Sequence, residues 1–126
     1  MQLGLVLGAL GEVVESRAPG VAVGDVVLSV FGWRDAFVAD AGAVQVVDKT
    51  VRPLTAHLSV LGGTGLTAWV GLKLVDVKAG DRVFVSGAAG AVGSIAGQLA
   101  KLRGCHVVGS AGSADKVRWL TDELGF

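Results

Sequence analysis

The chain contains 126 residues, of which 52% are hydrophobic, and its 11 Lys and Arg residues balance 11 Asp and Glu residues. This composition indicates no basic patch for nucleic acid and no charged tail, and no apolar run reaches the ~18 residues of a membrane-spanning helix. The one cysteine, Cys105, cannot form an internal disulfide, which suits a reducing cytosol, and with His57 and His106 it provides no zinc-ligand cluster.

The first part of the chain, up to Pro53, consists of short β-rich runs separated by turns. Residues 1–10 are apolar but lack the basic segment of a signal peptide, so they are predicted to be a buried strand or an artificial start. Residues 18–20 (APG) and 24–25 (GD) are typical turn sequences. The predicted strands cover residues 11–15, 26–31, 37–39 and 44–47. This half therefore has the pattern of an antiparallel barrel or a piece of one.

Downstream of Pro53 the pattern becomes one of alternating helices and strands. The predicted elements are helices over 54–61 and 64–74, a strand over 82–86, a helix over 92–102, a strand over 105–109 and a helix that begins after Ser113. Residues 83–85 are an apolar run, as expected for a parallel strand that is buried on both faces. The strand–helix–strand–helix order predicts a right-handed βαβα unit.

Two of these helices carry an apolar face at helical spacing. In the helix over 92–102 the predicted buried face is Val92, Ile95, Ala96, Leu99 and Leu102. In the final helix Ser113 is the predicted N-cap, and the predicted face is Val117, Leu120 and Leu124.

A glycine-rich turn joins the strand over 82–86 to the helix that follows it. Gly90 and Gly93 have the spacing of the last two glycines in Gly-x-Gly-x-x-Gly, and Ala88 stands at the first position. Such a turn lets backbone approach a pyrophosphate, and the helix N-terminus offers unpaired N–H groups and a partial positive charge. We therefore predict that main-chain amides around Ala91 and Val92 point outward and bind a dinucleotide. The alternative is a tight turn that serves only helix–strand packing.

The residues after the next strand predict which dinucleotide binds. An acidic residue about 20 positions after the glycine turn holds the adenosine ribose of NAD. Residues 109–113 contain no carboxylate, and Lys116 follows them. Hydroxyl groups and a lysine are donors for a 2′-phosphate, so Ser113 and Lys116 favour NADP over NAD. The alternative is that Lys116 is a solvated surface lysine and Ser113 only a helix cap.

The sequence resembles the zinc-independent medium-chain dehydrogenase/reductases, in particular the branch of prostaglandin reductases and alkenal double-bond reductases. The matching segments are GEVVES (11–16), VGDVV (23–27), GW (32–33), LTAHLSVLGGTGLTAW (54–69), SGAAGAVGSIAGQLAKLRGCHVVGSAGSADK (86–116) and ELGF (123–126). Since members of this branch are well over twice as long, the chain is expected to be truncated at both ends.

The resemblance implies an α/β fold, with part of a GroES-like antiparallel β-barrel over residues 1–57. The first βαβα half of a Rossmann NADP-binding domain would follow over residues 58–126. The implied activity is NADPH-dependent reduction of the C=C bond of an α,β-unsaturated carbonyl, with no catalytic side chain and no metal assigned within this chain. The implied cofactor-binding residues are Gly90, Ala91, Val92 and Gly93 at the pyrophosphate, Lys116 at the 2′-phosphate and Thr64 near the nicotinamide. Gly63 and Trp69 depart from the Met and Tyr common in this branch.

Two other readings of the sequence stay open. One is a quinone reductase of the same superfamily, and the other is a catalytically incompetent fragment that binds nucleotide or associates with other chains. The expected partner is a small enone or quinone, with no nucleic acid or membrane, in the cytoplasm. Because the two Rossmann strands would each have a free edge, we also expect a homo-oligomer.

Overall fold

The computed structural model of the protein describes residues 8–126, and the chain forms two compact units, residues 1–58 and residues 59–126. The architecture is of the α/β class, with one antiparallel and one parallel sheet. Most of the segment predicted to be a buried strand or an artificial start, residues 1–7, lies outside the described residues.

The first unit contains a three-stranded antiparallel sheet in the order β1-β2-β3. Its strands are Ala9–Glu12 (β1), Val26–Ser29 (β2) and Gln45–Val46 (β3), and short 3₁₀ helices cover Ala41–Ala43 and Leu54–Leu58. In the register of this sheet, Leu10 lies opposite Leu28 and Val27 lies opposite Val46. Three predicted strands are therefore confirmed as shorter or shifted elements, and the described residues form no closed barrel. The predicted helix over 54–61 is wrong in type and length, because only a 3₁₀ helix forms there.

The strand predicted over residues 37–39 does not form. This segment pairs with no strand in the described part of the chain, and the Val38 side chain is fully exposed. Phe37 instead packs against Phe31, with ring centroids 5.1 Å apart. An aromatic contact within the loop thus replaces the ladder of hydrogen bonds that the β-rich sequence pattern predicted.

Two aspartates organise the turns of the first unit. The Asp25 carboxylate accepts a hydrogen bond from the Ala22 N–H at 2.9 Å, and this bond lowers the pKa of Asp25. Asp48 accepts hydrogen bonds from the hydroxyl and the backbone N–H of Thr50, at 2.7 and 2.8 Å, and both lower the pKa of Asp48. Each carboxylate therefore accepts from a backbone N–H of its own turn and fixes the conformation of that turn.

The second unit contains helices and a two-stranded parallel sheet. Its elements are α1 (Gly63–Leu74), β4 (Arg82–Val85), α2 (Ala91–Leu102), β5 (His106–Gly109) and α3 (Ala114–Arg118), which continues into one π-helical turn over Trp119–Glu123. β4 and β5 pair in parallel, with Val83 opposite Val107. The predicted order of strands and helices over residues 64–126 is confirmed.

The core of this unit lies on one face of the β4–β5 sheet. Leu72, Ala100 and Val107 are buried at its centre, and Val83 and Val85 pack against them. The opposite face is open, because Phe84 and Val108 are 67% and 50% exposed. The prediction that residues 83–85 are buried on both faces is therefore wrong, since α1 and α2 supply the core on one side only.

The buried face of α2 also differs from its prediction. Leu102 is 84% exposed, whereas the buried residues of the helix are Gly97 and Ala100. A Cβ at Gly97 would lie 2.1 Å from the ring of Phe126, so that ring occupies the space beside Gly97. Small residues therefore make the closest contacts of α2, while Leu99 of the predicted face packs against the core and Leu102 does not.

The final helix follows its prediction in part. Leu120 is buried and Leu124 is half-buried, but Val117 is 43% exposed. The helix ends in a left-handed Gly125, and the Phe126 N–H then donates to the Leu120 carbonyl at 2.9 Å. This turn directs the Phe126 ring onto Gly97.

No helix in residues 8–126 combines the length and the apolar character that crossing a bilayer requires.

Candidate functional site

The glycine turn between β4 and α2 is the feature around which the candidate site is built. Gly87 has a φ of +60°, so it makes the tight left-handed bend, and Ala88 at the first motif position does not. The Gly90 N–H donates to the Gly87 carbonyl at 2.9 Å and closes the turn. Gly90 then serves as the N-cap of α2, with extended backbone and no side-chain cap.

The first turn of α2 presents backbone donors at this site. The Ser94 N–H donates to the Gly90 carbonyl at 2.9 Å, which is the first hydrogen bond of the helical ladder. The N–H groups of Ala91, Val92 and Gly93 precede that bond and have no carbonyl within their own helix. Gly90, Ala91 and Val92 are exposed. These donors and the positive end of the helix dipole suit an anionic phosphate group.

Gly93 has a different function from Gly90, because it lies against backbone. A Cβ at Gly93 would lie 2.5 Å from the Gly87 carbonyl oxygen and 3.0 Å from the Ala88 Cα. A Cβ at Gly90 would meet one atom within 4 Å, the Gly87 oxygen at 3.1 Å. Gly93 therefore lets the helix approach the turn closely, and Gly90 keeps the N-terminus of the helix open.

The segment after β5 lies beside the glycine turn. The Ser110 N–H donates to the Val85 carbonyl at 3.0 Å, and the Ser110 carbonyl accepts from the Ala88 N–H at 2.8 Å. Two hydrogen bonds thus join the start of this segment to the end of β4 and to the turn. We call residues 110–113 the anion loop. It begins at Ser110, the residue that makes both hydrogen bonds.

The anion loop ends at the N-terminus of α3, where the predicted NADP-selective residues lie. The Ser113 hydroxyl oxygen accepts from the Lys116 backbone N–H at 3.4 Å, so its predicted role as N-cap is confirmed. Ser113 and Lys116 are both exposed. Asp115 is paired with Arg118, while the Lys116 ammonium has no salt-bridge partner among residues 8–126. Hydroxyl and ammonium donors without a carboxylate in the loop fit the chemistry of a 2′-phosphate.

Thr64 lies apart from this group of residues. It is half-buried in the first turn of α1, and its hydroxyl donates to the Ser59 carbonyl at 2.7 Å. Further along the same helix, the Lys73 ammonium lies 4.8 Å from the centre of the Trp69 ring. The hydrogen bond of Thr64 does not involve the glycine turn, so it does not join Thr64 to the turn or to the loop beside it.

The sequence pattern missed one contact at the site. Ala88 is fully buried, and a Cβ at Gly109 would lie 2.6 Å from the Ala88 Cβ. An isolated glycine within a strand indicates that another backbone segment approaches closely, and Gly109 is such a glycine in β5. Its partner could not be read from the sequence, because 20 residues separate the two positions.

Other chemistry-bearing side chains give no second site in the described part of the chain. No group of three or more His, Cys, Asp or Glu side chains there could hold a metal ion. The Cys105 thiol donates to the Lys78 carbonyl at 3.2 Å, and the His57 Nε2 lies 3.0 Å from the Asp48 carbonyl oxygen. These contacts are consistent with structural roles for Cys105 and His57.

The chain is similar in sequence to several reductases. It is 44% identical over 123 residues to prostaglandin reductase 1 of Mus musculus, covering 93% of this chain and 36% of the relative. It is 41% identical over 124 residues to the NADPH-dependent curcumin reductase of Escherichia coli, covering 97% of this chain and 36% of the relative. The chain therefore spans little more than a third of the length of the curated relatives it matches. No protein-family model matches it.

Solved structures give a similar picture. CurA from Vibrio vulnificus in complex with NADPH superimposes with a TM-score of 0.81 at 38% identity, over 94% of this chain and 36% of CurA. The quinone oxidoreductase of Coxiella burnetii gives a TM-score of 0.66 at 30% identity, over 94% of this chain and 39% of that protein.

Proposed function

We propose that this chain, whose homologues are NADP-dependent oxidoreductases, carries the phosphate- and adenosine-binding part of an NADP(H) site. The resemblance predicted from the sequence is confirmed by these homologues, which are enzymes. The chain matches about 36% of the length of these relatives, so any enzymatic activity assigned to it is a proposal.

One observation carries the proposal: a glycine turn with open first-turn amides lies directly beside a carboxylate-free loop. The turn and the loop are joined through the Ala88–Ser110 hydrogen bond of 2.8 Å. In this assignment the N–H groups of Ala91, Val92 and Gly93 bind the pyrophosphate. Ser113 and Lys116 bind the 2′-phosphate that NADP has and NAD lacks. The loop contains no carboxylate, which would hold the NAD ribose and repel this phosphate.

The proposed reaction is reduction of the C=C bond of an α,β-unsaturated carbonyl, in which bound NADPH supplies the hydride. The residues of this chain bind and orient the cofactor, and Thr64 is the residue assigned to the nicotinamide side. We assign no catalytic side chain within the chain. Reduction of a quinone is a second candidate, favoured by the similarity to the Coxiella burnetii quinone oxidoreductase.

The proposal extends to domain organisation. Residues 1–57 correspond to part of a GroES-like β-barrel, and residues 58–126 to the first half of a Rossmann domain. The antiparallel sheet β1-β2-β3 and the parallel pair β4–β5 support this division.

Calorimetric titration of the 126-residue chain tests the cofactor assignment. The ligands are 2′,5′-ADP and 5′-AMP, which differ only in the 2′-phosphate. We expect the Kd for 2′,5′-ADP to be at least about 10-fold lower than the Kd for 5′-AMP, because hydrogen bonds to charged groups contribute about 1.5–3 kcal/mol. Lys116→Gln should remove most of this difference and leave 5′-AMP binding unchanged. Equal binding of the two ligands by the unsubstituted chain would refute NADP selectivity, and no binding of either would refute the nucleotide site.

Turnover assays separate the candidate functions. NADPH oxidation with an enone but not with a quinone supports the leading proposal, and the reverse supports quinone reduction. Binding of 2′,5′-ADP without turnover of either substrate would leave a nucleotide-binding chain that does not catalyse the reaction alone.

A further inference from the structure

A buried methyl group connects the glycine turn to the end of β5. Ala88 is 0% exposed, and its Cβ lies where a side chain on Gly109 would otherwise be, 2.6 Å from the ideal Cβ position of Gly109. Two methyl groups cannot occupy this space, since real Cβ atoms do not approach within 3.0 Å. The missing side chain of Gly109 therefore forms a notch, the Gly109 notch, that receives the Ala88 methyl.

The methyl contact is reinforced by backbone hydrogen bonds at the next residue. The Ala88 N–H donates to the Ser110 carbonyl at 2.8 Å, and the Ser110 N–H donates to the Val85 carbonyl at 3.0 Å. Ala88 thus holds two consecutive residues, Gly109 by packing and Ser110 by a hydrogen bond. These are the residues at which the anion loop leaves the sheet, so Ala88 contacts the chain where the loop begins.

We propose that Ala88 is a positioning residue that holds the anion loop against the glycine turn through the Gly109 notch. This inference rests on the proposed function. One NADP molecule must meet the first-turn amides of α2 and the Ser113–Lys116 donors at once, so the spacing between turn and loop must match the ligand. Small displacements of positioned groups have large effects on recognition, because hydrogen bonds lengthen and lose alignment.

Moving the methyl group from one side of the contact to the other tests this inference. Ala88→Gly leaves the notch empty, and Gly109→Ala places a methyl in it against the native one. The double variant Ala88→Gly/Gly109→Ala contains one methyl again. That methyl would lie 3.2 Å from the Phe126 Cδ2 and 3.5 Å from the Leu120 Cδ1, two side-chain ends that can shift slightly.

The first readout is the melting temperature of the ligand-free chain. We expect each single substitution to lower the melting temperature by about 5 °C. The double variant should melt at a higher temperature than the sum of the two decreases would give. Ala89→Gly, at the half-buried neighbour of Ala88, and Gly71→Ala, where a Cβ meets nothing within 4 Å, are matched controls. Additive effects would overturn the contact. If Gly109→Ala does not fold, the same compensation is seen as a cooperative transition regained in the double variant.

The second readout is the ratio of the Kd for 5′-AMP to the Kd for 2′,5′-ADP, which packing alone does not change. We expect both single variants to lower this ratio about 5-fold, and the double variant to restore it to within about twofold. Reduced melting temperatures with an unchanged ratio would overturn the positioning role. Failure of the unsubstituted chain to bind either nucleotide would refute the proposed function and this role together. Normal binding with an additive melting cycle would refute this inference alone.

Discussion

Gly93→Ala is expected to damage the glycine turn through a steric contact with backbone. The added Cβ would lie 2.5 Å from the Gly87 carbonyl oxygen and 3.0 Å from the Ala88 Cα, and neither atom belongs to a flexible side-chain end. Overpacking of this kind costs about 1–3 kcal/mol, whereas exchanging a helical glycine for alanine returns about 0.5–1 kcal/mol. The net loss of unfolding free energy is then about 0–2.5 kcal/mol, and we expect the upper half of this range because the 2.5 Å contact is with backbone.

Urea denaturation of the ligand-free chain, followed by far-UV circular dichroism, measures this loss as a shift in the midpoint at constant slope. Gly71→Ala is the control for helix propensity, because its Cβ meets nothing within 4 Å, and it should gain about 0.5–1 kcal/mol. Gly90→Ala should destabilise less than Gly93→Ala, by about 1 kcal/mol or less, since its φ of −83° suits alanine and its Cβ would meet only the Gly87 oxygen, at 3.1 Å. The reasoning is refuted if Gly93→Ala is as stable as Gly71→Ala, or if Gly90→Ala destabilises as strongly as Gly93→Ala.

Three other substitutions test separate parts of the molecule. Ser113→Asp keeps an N-cap acceptor for the Lys116 N–H but adds a negative charge, so it should preserve the melting temperature and weaken 2′,5′-ADP binding about 10-fold; unchanged binding would exclude Ser113 from the 2′-phosphate site. Phe84→Ser removes the most exposed apolar residue of the open sheet face and should lower self-association in sedimentation experiments, and an unchanged distribution would show that this face is not involved. Asp48→Asn should reduce stability more at pH 7 than at pH 2: the Thr50 hydrogen bonds lower the pKa of Asp48 from its ordinary value of 3.8, so its contribution is fully present above that value and is lost as the pH falls through the lower folded-state pKa. An equal loss at both pH values would contradict this account.

The parts of the fold that could be predicted are those that local chemistry determines. The glycines after β4 predicted a turn into a helix, and Ser113 predicted the start of α3, because turn and cap residues act on their immediate neighbours. The site residues at Gly90, Gly93 and Lys116 were selected by the same local patterns. Their role in binding a cofactor stays a prediction.

The parts that could not be predicted depend on contacts between distant residues. Periodicity placed Leu102 on the buried face of α2, but Phe126, 24 positions further along the chain, packs on the helix at Gly97, about 140° around the helix from Leu102. Hydrophobicity alone made residues 83–85 a fully buried strand, although burial of Phe84 requires a layer on the second face of the sheet. The Ala88–Gly109 contact was hidden for the same reason, since only the pairing of β4 with β5 brings the two residues together.

The placement of Phe126 on Gly97 gives the folded chain a built-in spectroscopic marker. An aromatic ring in van der Waals contact with a glycine displaces the resonances of the two glycine α-protons through its ring current. Those protons lie in the middle of α2, while the ring belongs to the turn after Gly125. The chemical shifts of Gly97 in a proton spectrum therefore report whether the C-terminal turn is seated on the helix, without any added label.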